Sequence, residues 1–275
     1  MSDEVDWNSV WDQSIVGSEP PPELRGVNPE DVKSIIYLTD GAPEGLSNSL
    51  SQFSGSHKLG LFAASTPFVT GRSVTLFLND EICDSGAVGL ALKQEASCGL
   101  RFHGMEPLAE PMIVSQSEGN LVILLDNKTP TQLLLSAIKQ KGINLQTPDY
   151  EEFCLASIHD HEPKQMFSIL SGDPSRGTIA LQSNSSPPSG SRVQFFYRPK
   201  TTTAEVAATL SRGTFSFTTV PEALLGHNAE EEVADLELPD SFLAGSEKGF
   251  LVSRGKETPW TCSIPGSSAV LHWST

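Results

Sequence analysis

Apolar residues in this chain come in short blocks separated by polar, glycine- and proline-bearing breaks, a spacing that favours strands over long helices. Ile35-Ile36-Tyr37-Leu38, inside Ser34–Asp40, reads as a buried strand. Gly41-Ala42-Pro43-Glu44-Gly45 turns it, Leu46–Phe53 suits a short helix, and Lys58–Ala64 reads as a second buried strand, so the stretch predicts a β-α-β unit. Val74–Leu78 follows as a strand, Asp80 and Glu81 punctuate a hairpin, and Ala87–Leu92 is a small-residue strand. Met112–Ser115 and Leu121–Leu125 form a second hairpin about Glu118-Gly119-Asn120. Pro130 sits at a natural helix start, and Leu133, Leu134, Ala137 and Ile138 keep helical spacing up to Gly142.

The second half echoes this order. Met166–Leu170 and Thr178–Leu181 predict a hairpin, Val193–Tyr197 a strand, Thr203–Leu210 a short helix, and Phe215–Val220, Gly249–Ser253 and Ala269–Trp273 further strands. The expected fold is therefore α+β, mixed α/β: two lobes of mixed, largely antiparallel sheet with a few covering helices. Residues 1–33 are read as an N-terminal arm, 34–148 as one lobe and 149–275 as the other, with Pro148-Asp149 at the boundary. In the arm, Trp7 and Trp11 lie one helical turn apart in an acidic background, a short amphipathic element that binds a partner or folds back onto its own domain.

Charge narrows the function classes. Lys+Arg 18 against Asp+Glu 34 gives a net charge of −16 over 275 residues. Phosphate backbones and anionic lipid surfaces repel such a chain, so neither nucleic acid nor membrane is an expected partner. The cysteines Cys83, Cys98, Cys154 and Cys262 form no C-x-x-C pair, which fits reduced thiols. No apolar run reaches the ~20 residues that span a bilayer. The first residues also lack secretory and mitochondrial targeting patterns, so the expected location is cytoplasmic.

Motifs for hydrolase elbows, phosphate loops and dinucleotide turns are absent. His159-Asp160-His161, with Cys154 and Glu162 nearby, is the one metal-like cluster; it lies in a polar segment ending at Pro163 and reads as an exposed loop, so no metal or cofactor is expected. Two loops carry candidate ligand groups. Ser65, Thr66, Thr70 and Arg72 follow a buried strand and offer hydroxyls and a guanidinium to a carboxylate or phosphate; a self-capped crossover is the structural alternative. Arg101, His103 and Glu106 bring a cation, an imidazole and a carboxylate together, a mixture suited to a small amine or amino acid; a loop bonded through its own side chains is the structural alternative.

Several blocks in collinear order resemble the FIST family. In the first lobe they are Gly60 to Gly71, Thr75-Leu76-Phe77, Gly86 to Ala91, Gly104-Met105-Glu106-Pro107-Leu108 and Glu118-Gly119-Asn120 with Leu125-Asp126. In the second they are Phe167–Leu170, Asp173-Pro174, Gly177, Gly190 and Val193-Gln194-Phe195. The resemblance implies FIST N-terminal and C-terminal domains, shortened and without an F-box, the chain starting partway into the N-terminal domain. Where the family often has Gly-Cys-Arg-Pro this chain has Gly104-Met105-Glu106-Pro107, and a late Gly-Glu-Ile-Gly motif is reduced to Gly245 to Gly249, which retains Glu247 as a candidate ligand group. What the resemblance implies is a non-catalytic module in signalling: a sensor of a small, amino-acid-like metabolite or a protein-interaction scaffold, with homo-oligomerisation open. The alternative is a hydrolase-like enzyme with a non-motif active site between the lobes.

Overall fold

The computed structural model describes residues 22–41, 46, 49–146, 150–172, 176–199, 213–220 and 240–273. In chain order the strands are β1 (Ser34–Thr39), β2 (His57–Phe62), β3 (Leu76–Leu78), β4 (Glu81–Cys83), β5 (Ala87–Leu92), β6 (Ala96–Phe102), β7 (Glu106–Pro107), β8 (Met112–Glu118) and β9 (Leu121–Leu125). After helix α1 (Pro130–Lys141) come β10 (Tyr150–His159), β11 (Glu162–Gly172), β12 (Ile179–Leu181), β13 (Arg192–Pro199), β14 (Thr214–Thr219), β15 (Ser241–Ser246), β16 (Phe250–Ser253), β17 (Trp260–Cys262) and β18 (Ser267–Trp273).

Three larger sheets and one small hairpin result. The first sheet runs β17-β16-β2-β1-β5, with β1 and β2 parallel and the other neighbours antiparallel. Its centre is apolar on both faces, which is why Ile35 to Leu38 and Leu59 to Phe62 appear as continuous hydrophobic runs. Tyr37 lies in register with Gly60 on one side and Gly89 on the other, where the missing side chains leave room for its ring and backbone.

The second sheet closes on itself. Its order is β10-β11-β12-β9-β8-β13, and β13 pairs back to β10, so six antiparallel strands form a barrel with β7 appended to β13. Closure removes the free edges that an open sheet would present. The β10–β11 turn is made by Asp160 and His161, both at positive φ. A third sheet, β15-β14-β18-β6, joins the same large core, which includes Val114, Leu155, Phe195, Phe217 and Leu271. Helix α1 begins on Pro130, ends on Gly142 at φ 77, and buries Ala137 and Ile138.

This corrects the expected fold class. The protein is mostly sheet; apart from a single α-helical turn at Pro67–Thr70, α1 is the one multi-turn α-helix among the described residues, and it does not make an α+β architecture with several covering helices. The difference comes from strands without a clean alternating pattern. β10 mixes Glu151 and Glu152 with Phe153, Cys154 and Leu155. The short β15 and β17 sit among polar residues. The helix expected at Leu46–Phe53 is helical at residues 46 and 49 and becomes a turn at 50–52, and the one expected at Thr203–Leu210 lies outside the described residues. The sheets draw strands from both sides of residue 148: β16 pairs with β2, and β18 with β6.

Candidate functional site

The most developed concavity lies between the first sheet and the barrel, where β17 approaches β11. Two chambers, of about 660 Å³ and 700 Å³, share Ser183, Ser185, Glu257, Thr258, Pro259 and Trp260, so they are halves of one groove. Each half is within the size of small-molecule sites.

One wall is the turn joining β16 to β17. Ser253 Oγ donates to the Glu257 carbonyl at 2.7 Å, the Glu257 N–H donates to the Arg254 carbonyl at 3.2 Å, and Arg254 Nε donates to Glu257 Oε2 at 2.9 Å. A second guanidinium nitrogen of Arg254 reaches the Lys164 carbonyl on β11 at 3.2 Å, tying the turn to the barrel. These bonds leave Lys256 exposed at the tip, with no ion pair to a described residue.

The opposite wall is the serine-rich segment after β12. It is anchored by Gln182 N–H to the Ser168 carbonyl (2.9 Å), Ser186 Oγ to the Gly119 carbonyl (3.0 Å) and Ser117 Oγ to the Pro187 carbonyl (3.0 Å). Trp260 and Phe167 form the floor, edge to face with centroids 5.7 Å apart. Trp260 is only 6% exposed, and its indole N–H has no hydrogen-bond partner among the described residues. A buried donor left unpaired carries a desolvation penalty of about 1–3 kcal/mol.

At the back, beside Leu50 and Leu251, lies Lys58. It is 6% exposed, and its ammonium donates to the carbonyls of Phe53 (2.6 Å) and Ser56 (3.5 Å) rather than to a carboxylate. Burial holds its pKa below the usual lysine range. The groove is thus lined by Lys58, Lys164, Arg254 and Lys256 against one carboxylate, Glu257, in a chain whose acids outnumber its cations almost two to one. Lys164 also meets Glu162 in an exposed pair at 3.6 Å.

The residues singled out from sequence lie elsewhere. Thr66, Thr70 and Thr75 bond to one another, with both Thr66 and Thr70 hydroxyls 2.8 Å from that of Thr75, while Ser65 and Arg72 are exposed. Glu106 accepts from the Tyr197 hydroxyl at 2.9 Å and sits 3.9 Å from Lys141 Nζ. Burial, and then the bond to Glu106, push the Tyr197 pKa up. Arg101 is exposed on β6 opposite Ser268, and His103 stands in the turn after β6. Glu247 occupies the β15–β16 turn, where Lys248 Nζ donates to the Ala63 carbonyl at 3.1 Å. The structure therefore brings Thr66 and Thr70 together, and their hydroxyls also bond the Arg72 backbone, Thr66 donating to its carbonyl and Thr70 accepting from its N–H, both at 3.3 Å. Trp7 and Trp11 lie outside the described residues.

His159 lines the groove's outer end and pairs with its neighbour Asp160 at 3.4 Å; among the described residues no three His, Cys, Asp or Glu side chains are grouped to hold a metal. Burial pushes the Cys98 and Cys262 thiols up to about 12 and Cys154 well above its usual value, so all three stay neutral and weakly nucleophilic. No helix among the described residues is long and apolar enough to cross a membrane.

Lys58 on β2 and Leu50 in the turn that precedes it supply the back of the groove from the first part of the chain. Residues 14–128 match the FIST N domain. This match ends just before α1 and covers less than half of the chain. The segment similar to the FIST N domain therefore holds the back of the groove, while Phe167, the serine-rich wall and the Arg254–Trp260 turn come from outside it. No curated protein and no solved structure matches the chain. The FIST domain family is associated with signalling and small-ligand sensing.

Two signals for the groove were present in the sequence. Lys58 is a lone cation at the head of an apolar strand, and Arg254-Gly255-Lys256-Glu257-Thr258-Pro259-Trp260 places two cations and a tryptophan in one turn. Neither resembles a known motif, so only the fold brings them together.

Proposed function

We propose that this protein is a non-catalytic sensing module that holds a small anionic, amino-acid-like metabolite in the groove between the first sheet and the barrel. The observation that carries the reading is the excess of cations there: Lys58, Lys164, Arg254 and Lys256 face one groove with Glu257 as the sole acid, in a chain of net charge −16. A carboxylate fits the ammonium groups of Lys164 and Lys256 on the groove's walls. The reading takes residues 149–275 as a FIST C-like segment that completes the site, and the module as an element of cytoplasmic signalling.

The test is calorimetric and thermal-shift titration with free amino acids, their α-oxo acids and their amides. A ligand at 100 times its Kd raises stability by about 2.7 kcal/mol. Acids should bind at least tenfold more tightly than the matching amides, and K164E/K256E should abolish that preference while K93E leaves it intact. A folded protein that no anionic member shifts, or a preference that survives K164E/K256E, refutes the reading.

A second reading, a protein-interaction scaffold, is favoured by the edge of the first sheet. β5 carries no charged residue, Leu90 on it is 63% exposed, and Phe77 in the neighbouring β3–β4 hairpin is 66% exposed. Exposed apolar edge strands template pairing with another chain. Sedimentation of the wild type against Leu90→Lys decides whether that edge joins two copies.

A further inference from the structure

The cations of the groove are divided between its two halves. Lys164 and Arg254 line the outer chamber and not the inner one, whereas Lys58 and Lys256 line the inner chamber and not the outer one. Two of the four are already engaged. Arg254 Nε donates to Glu257 Oε2 at 2.9 Å, and the buried Lys58 ammonium donates to the carbonyls of Phe53 and Ser56. That leaves one accessible ammonium in each half. Lys164 meets Glu162 at 3.6 Å in an exposed pair of the kind that solvent keeps weak, and Lys256 is exposed at the tip of its turn. His159, at the outer end, already faces Asp160.

Between the two lysines lies the stretch that both chambers share, with the hydroxyl-bearing Ser183, Ser185 and Thr258, the Trp260 ring and the groove's single acid, Glu257. Along its length the groove therefore presents a cation, a polar middle holding one carboxylate, and a second cation. Each chamber, of about 660 Å³ and 700 Å³, is by itself the size of a small-molecule site, so the pair admits a ligand that reaches from one into the other. A single carboxylate set against either lysine leaves the positive charge of the other half unanswered. We infer that the ligand is a two-headed anion, an α-amino dicarboxylate with one carboxylate on Lys164, the other on Lys256 and its ammonium group toward Glu257. The inference rests on the groove being the ligand site and names the class of ligand that the site selects.

The experiment is calorimetric titration of the full-length protein with straight-chain α-amino dicarboxylates of increasing length, from aspartate to 2-aminosuberate, each beside the α-amino monocarboxylate of the same carbon number. Affinity for the diacids should rise to a maximum at one length, where the diacid binds about tenfold more tightly than its monoacid, as one added charge-assisted contact gives. K164Q and K256Q should each abolish that advantage, whereas K93Q should preserve it; thermal unfolding without ligand checks that all three variants fold. Diacids that bind no more tightly than monoacids at every length overturn the inference, as does an advantage lost in only one of the two groove variants. In either case the preference of the groove for acids over amides stands as a separate result, and the sensing role survives with a single-headed ligand. Absence of binding by every member of both series overturns the inference and the sensing role together.

Discussion

Gly60 offers a direct test of how the first sheet is packed. A Cβ added there would lie 2.2, 2.4 and 2.8 Å from Cε2, Cζ and Cδ2 of Tyr37. Carbon atoms settle at about 3.5–4.0 Å, so the ring must retreat by more than an ångström. It has nowhere to go: Tyr37 is 6% exposed in a core with Phe53, Phe62 and Leu251, all buried. Overpacking of this kind costs about 1–3 kcal/mol, with the upper end expected because three ring atoms are struck. For a chain of this size each kcal/mol shifts Tm by about 2–4 °C, so Gly60→Ala should lower Tm by roughly 4–12 °C. Tyr37→Leu removes the struck atoms. In that background Gly60→Ala should cost less than about 0.5 kcal/mol, because alanine also restricts the unfolded chain. Urea unfolding of the wild type, both single variants and the double variant gives the coupling energy. A Gly60→Ala change within 0.5 kcal/mol of wild type, or strict additivity with Tyr37→Leu, would refute the packing.

Two further outcomes follow from buried charge. Glu152 accepts a hydrogen bond from Ser168 and pairs with Arg198 at 3.8 Å, and the Arg198 side chain is 5% exposed. Glu152→Ala should destabilise by about 3–5 kcal/mol in urea unfolding, and E152Q/R198M by much less than the sum of the single changes, since it leaves no buried charge alone. His57 lies below its usual pKa, first because it is desolvated, with Glu95 opposing, Arg254 reinforcing, Glu257 opposing and Lys58 reinforcing. The unfolded chain binds this proton more readily than the folded one, so stability is lost as pH falls from about 6.5 toward the folded value. His57→Gln should flatten unfolding free energy between about pH 6.5 and 5.5 relative to wild type; parallel curves would refute the assignment.

Much of the fold was legible because branched and aromatic residues cluster where strands are buried. Ile35-Ile36-Tyr37-Leu38, Leu121–Leu125 and Val193–Tyr197 all became strands, and the Pro130-to-Gly142 pattern became α1. The barrel was not legible, because β10 hides a fully buried Cys154, Leu155 and Ala156 behind two glutamates, and without β10 the sheet has no closing strand. The groove was less legible still. Its cations come from β2, β11 and the β16–β17 turn, positions brought together only by long-range pairing. The Thr66 loop, tempting for its hydroxyls, bonds mainly to itself.

The pairing of β2 with β16 has a consequence for biosynthesis. Gly60 meets Leu251, so one side of β2, flanked on the other by β1, stays bare until nearly the whole chain has been made. At about 5–20 residues per second that wait is roughly 10–40 s, long enough for a ribosome-bound chaperone to engage Leu59, Leu61 and Phe62. Early termination anywhere before residue 250 would release a polypeptide with an unpaired hydrophobic strand, a ready target for quality-control proteolysis.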